Sequence, residues 1–141
     1  MFEKHTDLEI RLRQWREVRK NSLSEQDILD AFSEIKILPR YIDYYTPEGW
    51  YNPFDIIEHG YFCTTGISIL LYHTLENMGY IDTELVDWKV ISNHVTGFDG
   101  AVFCYNDFVY NLQPNCKVPI AEADDLCIEL RRLGKIRLLN I

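Results

Sequence analysis

The run from Thr64 to Met78 constrains this chain more than any other stretch. Ile67, Leu70, Leu71, Leu75 and Met78 recur at three- and four-residue steps, which predicts a helix with one buried stripe. Gly79 stands where a left-handed C-terminal cap is needed. A helix this apolar must be covered, and the segments after it change period from 3.6 to 2. From Glu84 to Ile91 the side chains alternate, with Val86, Trp88 and Val90 on one side and Leu85, Asp87 and Lys89 on the other. Further strand-like pieces follow at His94–Phe98, Ala101–Tyr105 and Phe108–Leu112. Asp99-Gly100 and Asn106-Asp107 are the expected tight turns between them.

Two helices are expected upstream. One covers residues 7–20, with Leu8, Leu12, Trp15 and Val18 as its apolar face. The next starts after Ser24, has Glu25 and Asp27 in its first turn, buries Ile28, Leu29, Phe32 and Ile35, and stops by Pro39. Residues 41–61 read as a long aromatic loop punctuated by Pro47, Gly49, Pro53 and Gly60. It either wraps the core or forms one wall of a cleft lined by Trp50 and Tyr51. Pro114 and Pro119 bracket a loop, residues 121–133 are expected to be helical, and Ile136–Ile141 is a candidate last strand. Helices first, then a central helix, then a meander make an α+β fold in which the central helix packs on an antiparallel sheet.

The 141 residues suit a single domain spanning 1–141, and 47% hydrophobic content is ample for one core. A net charge of −8 argues against nucleic acid as a partner and suits a basic protein. Arg11, Arg13, Arg16, Arg19 and Lys20, like Arg131, Arg132, Lys135 and Arg137, are read as solvated faces. No apolar signal region follows Met1, and the stretch Ile67–Tyr72 is too short to span a bilayer, so a cytoplasmic protein without membrane contact is expected. Cys63, Cys104, Cys116 and Cys127 include no CxxC pair and are read as reduced thiols. His59 and Cys63 lie four apart, but no second ligand pair completes a zinc site, so neither metal nor cofactor is expected. His73 in mid-helix and His5 near the terminus are read as solvent-facing.

The chemistry-bearing signal is Cys63, in Tyr61-Phe62-Cys63-Thr64-Thr65-Gly66 at the start of the central helix. Free N–H groups and the positive end of a helix dipole favour a thiolate there. Small residues in the first turn allow backbone or substrate to come close. His94 follows at an expected strand entrance and could move protons. Asn111, or instead Asp107 or Asp99, could hold the imidazole in place.

This layout resembles the transglutaminase-like and papain-like cysteine superfamily. The similar stretch runs from Gly60-Tyr61-Phe62-Cys63-Thr64-Thr65-Gly66-Ile67 through Asn77-Met78-Gly79-Tyr80 and Asn93-His94-Val95 to Asn111-Leu112-Gln113-Pro114. The resemblance implies Cys63 as nucleophile, His94 as base and acid, and Asn111 as the orienting residue. The implied reaction is acyl transfer or amide or ester hydrolysis on a protein or peptide substrate. The alternative is a non-catalytic protein-binding or regulatory module that keeps the same fold. Asn111 matches the amide of papain-like members, where transglutaminase-like ones carry Asp. Val95 and Thr96 stand where an aromatic residue usually follows the His. With two tight turns His94 and Asn111 fall on opposite sheet faces, so a bulge or wider loop near Gly97 is needed to unite them. Oxyanion donors would be the Cys63 N–H with Trp50 or His59.

Overall fold

The computed structural model describes residues 1–2, 7–38 and 40–136. The described residues form an α+β structure of five α-helices and one five-stranded antiparallel sheet of order β4-β3-β2-β1-β5. Helix α1 (Leu8–Asn21) begins where the Asp7 carboxylate accepts the Ile10 N–H at 2.9 Å. Helix α2 (Glu25–Ser33) begins at the Ser24 cap and ends two residues before Ile35, well short of Pro39, which lies outside the described residues. Its Glu25 accepts from the Tyr110 hydroxyl and from Lys117, both at 3.0 Å, and so ties α2 to the sheet.

The 41–61 segment is more regular than its composition suggests. After a single 3-10 turn (Pro47–Gly49), helix α3 spans Pro53–His59. Asn52 caps it, Pro53 occupies the first turn, where its missing N–H costs nothing, and Gly60 closes it at φ 72°. Those three signals stand in the sequence, but the helix is only seven residues long and its apolar stripe is just Ile56 and Ile57.

Helix α4 (Thr64–Asn77) is buried on all sides from Thr64 to Leu75. The inner sheet face, carrying Trp88, Ala101, Phe103 and Tyr110, covers one side of it, and α1, α2 and α3 help cover the rest. The Trp15 indole donates to the Thr74 hydroxyl at 2.9 Å, pinning α1 to α4. His73 is therefore not solvent-facing: only 6% of it is exposed. Burial of the whole helix, not its apolar stripe alone, overrides that expectation. His5 lies outside the described residues.

The strands are β1 (Asp87–Asn93), β2 (Asp99–Tyr105), β3 (Phe108–Leu112), β4 (Asn115–Pro119) and β5 (Cys127–Gly134). Asn106 and Asp107, at φ 51° and 67°, form the expected two-residue turn between β2 and β3. The β1–β2 link differs from expectation. Asp99 and Gly100 belong to β2, and the reversal is made by 94–97. There the Asn93 carboxamide oxygen accepts the N–H groups of Val95 and Thr96, at 2.8 and 3.2 Å, and Gly97 takes φ 77°. The strand piece expected at His94–Phe98 is therefore a turn, closed by an Asn side chain that mimics a turn carbonyl, and β1 runs two residues past Ile91 to Asn93.

The segment between Pro114 and Pro119 is not a loop but β4, paired with β3. The helix expected over 121–133 is also corrected. Only Ile120–Ala123 is helical (α5), and β5 follows. Without β5, one whole edge of β1 would leave its N–H and C=O groups unpaired, and the Arg131–Val90 and Glu129–Ile91 pairings remove that cost. Ile128 and Leu130 stay 56% and 44% exposed, so tertiary hydrogen bonding decided this element and burial did not. Of the expected strand Ile136–Ile141, Ile136 lies outside any strand and 137–141 lie outside the described residues. A second, smaller cluster (Ile91, Val102, Val109, Leu112, Val118) fills the outer face under α5.

Two outcomes follow. A Cβ at Gly66 would lie 1.7 Å from the Tyr61 carbonyl oxygen, whereas one at Gly49 meets nothing within 4 Å. Gly66→Ala therefore loses about 3 kcal/mol or more in urea denaturation, and Gly49→Ala stays within about 0.5 kcal/mol of wild type. Burial also pushes the His73 imidazole down from 6.5 to about 4. The unfolded chain then takes up the proton first, so the contribution is complete above pH 6.5 and is lost as pH falls toward 4. The loss amounts to at most about 3 kcal/mol. Urea midpoints at neutral pH and near pH 4 are expected to show this slope in wild type and to lack that component in His73→Gln.

Candidate functional site

Cys63 is the N-cap of α4, with extended backbone geometry, as its position before Thr64-Thr65-Gly66 predicts. Its sulfur accepts the Gly66 N–H at 3.5 Å and the Ile42 N–H at 3.3 Å. The residue is 2% exposed and packs within the main apolar cluster. The segment entering the aromatic loop is thus tied across the sulfur, and the thiol serves as a capping acceptor.

The small residues after Cys63 permit close approach by backbone. Gly100 of β2 lies so near the first turn of α4 that a Cβ there would come within 2.6 Å of the Thr64 Cβ. Pairing of β2 with β3 runs from the turn only as far as Phe103 and Tyr110. Beyond that point helix side chains take over. The Ala101 N–H donates to Thr65 Oγ1 at 3.0 Å, and the Ala101 carbonyl accepts from Ser68 Oγ at 2.7 Å. Asn111 completes this wedge. At φ 67°, a conformation Asn tolerates better than most residues, it turns its fully buried carboxamide toward α4. Nδ2 donates to the Thr64 carbonyl at 3.0 Å and to Ser68 Oγ at 2.7 Å, and Oδ1 is buried without a partner.

Asn111 and Cys63 are therefore brought to the same end of α4, whereas His94 lies in the turn that follows β1. His94 sits exposed in the β1–β2 turn, held by its own N–H donating to the Leu126 carbonyl at 2.8 Å. Among the described residues no hydrogen bond or ion pair joins its ring to Cys63 or Asn111. The wider loop at Gly97 is present, yet the strand residue that meets the helix start is Gly100, six positions beyond His94. Asp99 lies at that end too, close enough to Tyr44 to help burial raise the phenol. Asp107 lies at the far end of β2, in the turn to β3. Neither proposed side-chain oxyanion donor is bonded to the sulfur: the Trp50 indole donates to the Asp43 carbonyl at 2.8 Å, and His59 is exposed beside Glu58.

The roles of Thr65, Ser68 and Gly100 escape sequence reasoning because small polar residues in a helix give no signal of which strand they will meet. The aromatic segment beside Cys63 divides in two. Trp50 turns inward, edge-on to Trp88 at 5.1 Å. Tyr41, Tyr45, Tyr51 and Phe54 remain 53%, 41%, 41% and 45% exposed. Tyr51 stacks on Tyr61 with ring centres 4.5 Å apart, and the Arg40 guanidinium lies 4.6 Å from the Tyr61 ring centre. Hydrogen bonding from Tyr51 and then Arg40 makes the Tyr61 phenol more acidic, while the Tyr51 phenol is made less so. Among the described residues, Asp55, Glu58 and His59 alone bring three potential metal-ligand atoms within 4.8 Å of one another. Cys63 is not among them, and the Asp55 carboxylate is already bonded to Asn52.

No helix of the described residues is long and apolar enough to cross a membrane. With Cys63, Cys116 and Cys127 buried and Cys104 half-exposed, Ellman's reagent is expected to label Cys104 first in the native protein. Cys63 is expected to react only on denaturation, as peptide mapping of the modified thiols would reveal. The chain matches no family model and no curated protein.

Proposed function

We propose that this protein is a binding module for a basic protein segment, built on a transglutaminase/papain-like core that does not turn over substrate. The carrying observation is the thiol. Cys63 is sealed in the core and capped by two N–H groups, and among the described residues no imidazole is bonded to it. Cysteine acyl transfer requires a base within reach and a path for the carbonyl to the sulfur. The residue that meets the first helical turn is glycine, which supplies neither acid nor base.

The surface beside this core supports the binding half of the reading. Residues 41–61 contain seven aromatic residues and four carboxylates (Asp43, Glu48, Asp55, Glu58), with no Lys or Arg. Tyrosines of low side-chain entropy with acidic neighbours suit Arg and Lys side chains, through cation–π contact and steering by a net charge of −8. Kinship with the cysteine superfamily is supported by element order: a Cys-capped buried helix followed by an antiparallel meander.

The second reading is cysteine-dependent acyl transfer or hydrolysis at Cys63. It is favoured by one feature, the helix N-terminus at which the sulfur sits.

Fluorescence anisotropy with labelled Arg/Lys-rich peptides separates the two. Saturable binding is expected that is lost in Tyr51→Ser combined with Asp55→Asn and Glu58→Gln, and kept in Cys63→Ala. Absence of binding, or binding insensitive to that triple change, overturns the module. Cleavage of p-nitrophenyl esters that disappears in Cys63→Ala would establish the second reading.

A further inference from the structure

At the end of α4 remote from Cys63 lies a cavity of about 570 Å³, a size that suits a small molecule. Three separate parts of the chain supply its polar wall: Tyr72, His73 and Glu76 from α4, Thr83 and Glu84 from the 3-10 turn before β1, and Lys135 after β5. His73 is the unusual member. It is 94% buried, and its Nδ1 has no hydrogen-bond partner. Nδ1 itself is closed off even from water, and the rest of the ring forms part of the cavity wall. Its burial keeps the ring uncharged down to about pH 4, so it offers one N–H and one lone pair at neutral pH. Burial raises the Tyr72 phenol most and Glu76 and Glu84 add to the shift, so both carboxylates lie near it, and Lys135 brings the opposite charge to the same cavity.

We infer that this cavity binds a small zwitterion, an α-amino acid or a short peptide. Its ammonium is held by Glu76 and Glu84, its carboxylate by Lys135, and its body lies against the His73 ring. A single metal ion fits less well. Glu76, Glu84 and His73 do not bring three ligand atoms within 4.8 Å, so they span a molecule and not an ion. The site is independent of the proposed protein-binding face, which lies at the other end of α4.

Isothermal titration of the intact chain with each of the twenty L-amino acids singly tests this, with putrescine as a bare cation and acetate as a bare anion. One-to-one binding of at least one amino acid is expected, with a shift of the His73 imidazole resonances on saturation. Glu84→Gln and Lys135→Met alter exposed ends of the site, so circular dichroism is expected to show both folded. Each should weaken binding about tenfold or more, the effect of losing one charge-assisted bond. No heat from any amino acid, affinity unchanged in both variants, or putrescine binding as tightly as the best amino acid would each overturn the proposal.

Discussion

The structure depends on a polar wedge where the first turn of α4 enters between β2 and β3. Past Phe103 and Tyr110 these strands no longer pair, so the Ala101 N–H and carbonyl would be stranded in the interior. Each such group left bare costs about 1–3 kcal/mol, more than a typical hydrogen bond contributes in net terms. Thr65 and Ser68 take both, and Asn111 links Ser68 to the Thr64 carbonyl. Small side chains are required here: Gly66 passes under the Tyr61 carbonyl, and Gly100 passes under Thr64. The helix that looks purely apolar in its stripe is therefore positioned by its polar residues.

That placement determines the character of the site. A helix start wedged into a splayed sheet is sheltered, and its cap is a thiol that accepts backbone N–H groups. Asn111, which shares that end of the helix, spends both donors on the wedge. The two proposed binding sites therefore lie further out, on the tyrosine-rich acidic face of residues 41–61 and in the polar cavity under the far end of α4. Both arise because α4 is buried on every side. Covering it takes an aromatic segment at one end, and it leaves His73 facing a cavity wall at the other.

Legibility in the sequence followed the strength of local signals. The caps at Ser24 and Gly79, the Asn106-Asp107 turn and the helix from Thr64 are each specified by chemistry within a few residues, and they stand where expected. The 127–134 segment carries no such signal. Exposed on most positions, it is a strand because β1 needs a partner. His94 illustrates the same limit in the site. Its neighbour Asn93 folds its own side chain into the turn, which keeps His94 at the surface and hands the position against α4 to Gly100.

By itself the sequence determined the α+β class, the central helix, the position of Cys63 at that helix's start and the acidic aromatic character of residues 41–61, because each follows from local periodicity, capping or composition. Tertiary structure alone decided that the sulfur is sealed, that His94 is exposed in the β1–β2 turn, that Asn111 serves the helix, and that His73 is buried beside a cavity. Those outcomes depend on which strand edges need partners and which surfaces are covered, and such demands arise only when residues distant in the chain meet.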